Sequence, residues 1–268
     1  MTRFRPHTRR LLPTTWLLAL VGLLAWGLGS GCSLKNPHPI GTFERARFWN
    51  EHEHFQEAAD AYEIFVRQNP TDSLAARAQY EKALAYMQIG EYPLAAVEFQ
   101  ILVQDYPTDT LVEDAMFREG ECYYFQVGRL ERDVTPAYEA RLHWLDFSRR
   151  FPDSRYMPEV RQYMQEIADL FVRKQLRAVA IYEQLRRHEA AAIVLDRILE
   201  EEPTSRLLDQ VLWKRGQTAE RLEDPREARR AYARLLDEYP DSPLAEEARA
   251  ALAALPEPAE ASDASPET

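Results

Sequence analysis

Five prolines divide this chain of 268 residues into units of similar length. Each proline follows a stretch with helical spacing of apolar residues and precedes a short polar turn. These prolines are Pro70, Pro107, Pro152, Pro203 and Pro240, and successive ones are 37, 45, 51 and 37 residues apart. The spacings correspond to a period of 37 residues, with eight residues added in one interval and fourteen in another. A period of this length is typical of arrays in which each unit packs against its neighbours.

Residues of matching size recur at the same period. Ala58 and Ala95 are one period apart, and an aromatic residue, Tyr62 or Phe99, follows each of them by four positions. Residues four apart share one face of a helix, so the alanine permits two helices to cross closely and the aromatic ring fills the space beside it. Each unit is therefore predicted to be a helix–turn–helix that ends at its proline. No window has the alternation of a strand.

These columns resemble the tetratricopeptide repeat, and the matching residues of the second unit are Ala83, Tyr86, Gly90, Tyr92, Ala95, Phe99 and Pro107. The resemblance implies an all-α solenoid of about five helix–turn–helix units, at 40–72, 75–109, 112–154, 157–205 and 206–242. A terminal helix, 243–255, would cover the apolar side of the last unit. Two helix starts have predicted caps, Thr110 with Glu113, and Ser242 followed by Pro243.

Two units depart from the period. The eight added residues fall between Tyr123 and Ala140 and predict a longer loop inside the third unit. The fourteen fall near 157–170 and predict about four more turns on the first helix of the fourth unit. We expect this long helix to join an N-terminal array of three units, 40–154, to a C-terminal array of two units and the cap, 155–255.

The first 31 residues have the pattern of an export signal. Four arginines precede an apolar run that ends in small residues before Cys32. A permanent membrane helix is the alternative, because the run approaches the roughly 20 residues that a bilayer requires. The sequence Gly-Ser-Gly-Cys resembles a bacterial lipobox. This implies that 1–31 is a lipoprotein signal peptide, that Cys32 carries acyl chains such as palmitate, and that 32–39 is a lipidated linker.

Composition and missing motifs exclude several functions. The formal net charge is −11, which disfavours nucleic-acid binding. Glycines after residue 31 are not clustered, so a phosphate-binding loop is excluded. His52 and His54 would point to different sides of a helix, and are interpreted as exposed residues and not as metal ligands. We therefore expect no enzyme activity, no metal and no cofactor. Residues 256–268 have no large apolar residue and predict a disordered acidic tail.

A loop in the third unit, Arg132-Asp133-Val134-Thr135-Pro136, precedes the sequence FPDSRYMPEV, which leads into the long helix. With Cys32 and the five repeats, these features resemble the BamD family, the lipoprotein subunit of the outer-membrane β-barrel assembly machinery. The resemblance spans about 32–243.

The resemblance implies a non-catalytic adaptor, anchored by lipid at the periplasmic face of the outer membrane. Its partners would be the periplasmic domains of the central barrel-forming subunit, docked on the C-terminal repeats, and unfolded barrel precursors, received by the N-terminal repeats. The alternative is another tetratricopeptide envelope lipoprotein, such as a pilus-secretin pilot or a scaffold. An enzyme is disfavoured, because the repeats leave no room for a catalytic domain.

Repeat geometry predicts a candidate peptide groove. First helices line the concave side of tetratricopeptide arrays, and the matching columns place Phe43, Tyr80 and Phe117 there, with Arg47, Arg77, Arg118 and Tyr124 nearby. Aromatic rings supply contact area, and arginines could hold a carboxylate by paired hydrogen bonds. An extended peptide that ends in an aromatic residue would fit such a groove. The alternative is that these aromatics pack between adjacent repeats.

Overall fold

The computed structural model describes residues 34–127 and 133–256, which contain eleven α-helices and no strand. The first helices of the five units are α1 (Phe43–Glu51), α3 (Ala75–Gln88), α5 (Val112–Val127), α7 (Met157–Gln184) and α9 (Leu208–Arg221). The second helices are α2 (Phe55–Gln68), α4 (Tyr92–Asp105), α6 (Thr135–Arg150), α8 (His188–Glu201) and α10 (Pro225–Glu238), and α11 (Ala245–Ala254) follows the last unit. Each helix packs mainly against its neighbours in the chain, so the predicted all-α array of five hairpins and a terminal helix is confirmed.

Several predictions concern residues that the structure does not describe. The signal peptide, Cys32, most of the third unit's inserted loop and nearly all of the acidic tail lie outside the described ranges. Within those ranges, no helix has both the length and the apolar character needed to cross a membrane.

Three columns of packed residues explain why the hairpins form. The small residue of each second helix is fully buried; these are Ala58, Ala95, Ala140, Ala191 and Ala228. The large residue four positions later is at most 1% exposed; these are Tyr62, Phe99, Trp144, Leu195 and Tyr232. A third column, on the first helices, faces the large residues; it consists of Ala46, Ala83, Gly120, Val179 and Gly216. Sizes are complementary, since Trp144 lies opposite Gly120 and Leu195 opposite Val179, so each hairpin fills its own interior.

The turns between units are held by one short side chain each. An aspartate or serine two residues after each proline accepts a hydrogen bond from the backbone N–H two residues further on, at 2.8–3.2 Å; these residues are Asp72, Asp109, Ser154, Ser205 and Ser242. Such Asx and Ser turns satisfy backbone donors ahead of a helix. The same side chains recur because the turn geometry is the same in all five units.

This turn corrects both predicted caps. Helix α5 begins at Val112, and Asp109 rather than Thr110 provides the side-chain acceptor in the preceding turn. The Glu113 carboxylate instead accepts a hydrogen bond from the Ser154 hydroxyl at 2.6 Å. Ser242 does accept from the backbone, but Pro243 lies in the turn because α11 begins only at Ala245.

The insertion in the third unit is shared between loop and helices. Helices α5 and α6 have 16 residues each, against 14 in α3 and α4. The interval between the helices grows from three residues, 89–91, to seven, 128–134. Four of the eight added residues therefore extend the helices, and the predicted loop accounts for the other four.

Helix α7 has 28 residues, twice the length of α3, as the fourteen added residues predict. The part up to Phe171, the first residue past its midpoint, contributes Val160, Ile167 and Phe171 to the core of the second and third units. The rest of α7 contributes Val172 and Val179 to the core of the fourth. The cores of the two predicted arrays thus meet inside α7, between residues 171 and 172.

Candidate functional site

The aromatic residues of the predicted groove are packed inside the array. Tyr80 is 7% exposed, with its ring 5.5 Å from that of Phe99. Phe117 is 3% exposed and stacks on Tyr156, with ring centroids 4.0 Å apart. Burial raises the pKa of Tyr80, and the nearby Arg118 guanidinium partly offsets this. These rings have little surface left for a ligand, so the packing alternative describes them.

Phe43 also belongs to a core. Its ring lies 5.5 Å from Tyr62 and 5.8 Å from Phe65, both on α2. It therefore closes the first hairpin, and no ring contact joins it to Tyr80 or Phe117 in the described residues. The period identified one structural column, and packing against the second helix or the next turn is what these three positions share.

The predicted arginines are more accessible, and each is paired with a glutamate of its own helix. Arg47 lies 3.2 Å from Glu51, and the Arg118 Nη1 atom lies 2.6 Å from Glu121. Arg77 pairs with Glu81 and lies over the Tyr80 ring. The Nε atom of Arg118 is buried and has no hydrogen-bond partner. Only the Arg47–Glu51 pair is exposed on both sides and so contributes little to stability. The side chains of Glu81 and Glu121 are 13% and 8% exposed, so Arg77 and Arg118 are held by largely buried carboxylates.

Tyr124 connects the third unit to the long helix. Its ring lies 4.6 Å from that of Tyr163, and its hydroxyl donates to the Glu166 carboxylate. Burial, with this bond, raises the pKa of Tyr124. The hydrogen bond from Tyr124 in turn lowers the pKa of Glu166, so Glu166 remains ionised. Of the seven predicted residues, Tyr124 alone lines one of the larger pockets on the described surface.

That pocket has a volume of about 410 Å³; we call it the joint pocket, and its lining residues are Tyr124, Phe125, Val127, Glu166, Ile167, Leu170, Arg173 and Arg206. Its lining comes from α5, α7 and the turn before α9. Phe125 is 40% exposed, and supplies an aromatic wall. Arg206 is held in place by Asp169, whose carboxylate lies 2.6 Å away. Arg173 is exposed and forms no ion pair within the described ranges.

Asp169 fixes the position of Arg206 in the lining of the joint pocket. It is 2% exposed, and accepts hydrogen bonds from the Ser205 hydroxyl and the Arg206 backbone N–H, both at 2.8 Å. Burial alone would raise the pKa of Asp169, but these bonds and the Arg206 guanidinium lower it. Through these hydrogen bonds, Asp169 links α7 to the turn before α9, the first helix of the fifth unit.

Sequence reasoning missed Phe125, Arg173 and Arg206. The period compares equivalent positions of ordinary units, whereas this pocket exists because α7 is twice the usual length. The signal that could have found it is the fourteen-residue insertion, which places residues of three units at one joint.

A family model described as an outer membrane lipoprotein, YfiO, matches residues 38–222, and a tetratricopeptide-repeat model matches 210–242. No curated protein matches the chain. Among solved structures, it is similar to a thermophilic tetratricopeptide-repeat protein of Thermus thermophilus, with 20% identity, 79% of this chain and 97% of that chain covered, and a TM-score of 0.32.

Proposed function

This chain belongs to the BamD (YfiO) family of outer membrane lipoproteins, and on that premise we propose that it is a non-catalytic adaptor of the outer-membrane β-barrel assembly machinery. In this role it binds the periplasmic domains of the central barrel-forming subunit. It also receives unfolded barrel precursors. Both activities require surfaces and not catalytic groups, and the described residues offer the surfaces of an array of helical hairpins.

The joint pocket is the observation that carries the precursor-binding part of the proposal. It combines an aromatic and aliphatic wall with Arg173, an exposed cation without a carboxylate partner in the described ranges. A peptide that ends in an aromatic residue offers a ring for the wall and a terminal carboxylate for the guanidinium. Arg77 and Arg118, on α3 and α5, are each already paired with a largely buried glutamate, so Arg173 is the cation offered to the peptide.

The proposed anchor keeps the first unit near the membrane. Cys32, the proposed acylation site, is followed by a linker whose described part is bound to α1: the Asn36 side chain donates to the Arg45 carbonyl at 2.9 Å, and the Arg45 guanidinium donates to the His38 carbonyl at 2.8 Å. Cys32 lies four residues before Asn36, so acyl chains on it would be attached within about 14 Å of Asn36 along the chain. The array would stand at the periplasmic face of the outer membrane with its first unit nearest the lipid.

Peptide binding tests the precursor site. We expect the full-length protein to bind a peptide with the last residues of a barrel protein, ending in an aromatic residue. Arg173→Glu should weaken binding by about tenfold or more, because it places a like charge beside the carboxylate. The measurement is fluorescence anisotropy of a labelled peptide.

Two controls make the result specific. Arg161→Glu makes the same charge change at an exposed position of the same helix that does not line the joint pocket, and should leave the affinity unchanged. A peptide with an amidated C-terminus should bind wild-type protein as weakly as Arg173→Glu binds the acid. Equal affinity for acid and amide, or equal loss in both variants, would remove Arg173 from the site.

A further inference from the structure

A second cleft, of about 500 Å³, lies on another face of α7, between α6 and α8. We call it the α6–α8 cleft; its lining residues are Tyr138, Phe171, Lys174, Gln175, Ala178, Tyr182, Val194, Arg197 and Glu201. None of these residues lines the joint pocket. Within the lining, the exposed Tyr138 stacks on the buried Phe171, with ring centroids 4.4 Å apart.

The cleft exists because α7 is long. Helix α6 packs on its first half, where Trp144 stacks on Tyr163, and α8 packs on its second half, where Val179 and Leu195 share a core. Helices α6 and α7 accordingly adjoin over a shorter stretch than other consecutive helices. The fourteen additional residues correspond to about 21 Å of helix, which is the length of one ordinary helix of this array. The space beside α7 is therefore as long as one helix.

Large apolar side chains next to the lining residues in the chain are exposed. Five have more than half of their surface in solvent: Tyr138, which lines the cleft, Leu142 one turn further along α6, Ile181 and Leu185 beside and after Tyr182, and Ile193 beside Val194. Leu142 and Ile193 occupy the same position of the repeat as Asp60 and Arg230, which are charged in the first and last units. Apolar residues gathered at one place on a surface are typical of a binding site.

Cations accompany these apolar residues. Lys174 and Arg197 line the cleft, and Arg186 and Arg187 directly follow Leu185. All four are exposed, and none forms an ion pair in the described ranges, whereas Glu201 is the one acid in the lining. A cationic rim on a chain with a net charge of −11 favours an acidic occupant at this place.

We propose that the α6–α8 cleft receives an amphipathic helix of a partner protein, with its apolar face on Leu142 and Ile193 and acidic residues along its flanks. Length, exposed apolar residues and charge all fit a helix laid beside α7. The inference goes beyond the proposed function and does not depend on it, since the cleft shares no residue with the joint pocket.

The test uses two helical peptides, each 14 residues long like α8 and constrained to stay helical. Both have the same leucine face, and their flanks carry glutamate in one and lysine in the other. We expect the full-length protein to bind the acidic peptide at least about tenfold more tightly, and Leu142→Glu to abolish that preference by weakening the acidic peptide about tenfold. Val97→Glu is the matched control, a similarly exposed position in the second unit, outside the cleft, and should change nothing.

Other outcomes would overturn the proposal. They are equal affinity for the two peptides, no effect of Leu142→Glu, binding of anionic phospholipid vesicles that requires Leu142, or a dimer in sedimentation that Leu142→Glu converts to monomers. The last two would assign the cleft to lipid or to a second copy. If Leu142→Glu loses its helical circular dichroism, Lys174→Glu, a change at an exposed residue, decides in its place: unchanged binding of the acidic peptide rejects the proposal.

Discussion

Replacing Gly120 with valine is expected to destabilise the folded protein by about 3 kcal/mol, since overpacking a filled core forces side chains to move. A β-carbon at Gly120 would lie 2.1 Å from the Nε1 atom of Trp144. Trp144 is fully buried and stacks on Tyr163 with ring planes 4° apart, so the indole has no free space to enter. Urea unfolding, followed by circular dichroism, measures the loss.

A second substitution should rescue the first. The fourth unit has Val179 and Leu195 at the two equivalent positions, and both are fully buried. The double variant Gly120→Val, Trp144→Leu copies that pair, and should be more stable than the sum of its single effects by about 2 kcal/mol. Additivity within about 0.5 kcal/mol would mean that residue size at these two positions is not what closes each hairpin.

Replacing Arg141 with methionine is expected to cost about 3 kcal/mol, because it leaves a buried carboxylate without its partner. Arg141 donates to both oxygens of Glu202, at 2.9 and 2.6 Å, and Glu202 is 4% exposed. The pair joins α6 to the end of α8, and the guanidinium lies 4.4 Å from the Phe171 ring centroid. It therefore connects the two arrays across the joint, and its loss should separate their unfolding into two steps.

The matched control is Arg149→Met on the same helix. Arg149 pairs with Asp146, but both side chains are at least half exposed, so we expect a loss below about 0.5 kcal/mol. Adding Glu202→Gln to Arg141→Met should recover part of the stability, because it removes the buried charge. If Arg141→Met costs no more than Arg149→Met, the pair does not hold the arrays together.

The repeat architecture was predictable from the sequence because its causes are local. A small residue and a large residue four apart, such as Ala95 and Phe99, define a hairpin interior without reference to the rest of the chain. The same holds for the length of α7, which follows from an insertion of fourteen residues. The outer membrane lipoprotein family was predictable for a related reason, since the spacing of the five prolines gives the order of ordinary, inserted and lengthened units.

The surfaces were less predictable, because they depend on how neighbouring units meet. Tyr80 and Phe117 share a repeat position, but their burial depends on the contacts of each ring: Tyr80 packs on Phe99, and Phe117 stacks on Tyr156 from the turn before the next unit. Arg173 lines a pocket because α7 continues beyond the third unit and meets the turn before α9 there, which spacing within one unit does not specify. Tyr124 was predicted only as a neighbour of the groove column on the first helix of the third unit, and its place in the joint pocket depends on α7.

The adaptor role itself is tested most directly by isolating the native lipoprotein from outer membranes in mild detergent and identifying the proteins that accompany it. We predict that the central barrel-forming subunit of the β-barrel assembly machinery is recovered in near-equal amount. Recovery of a secretin without that subunit, or of the lipoprotein alone, would contradict the proposed function and favour another envelope role for this array.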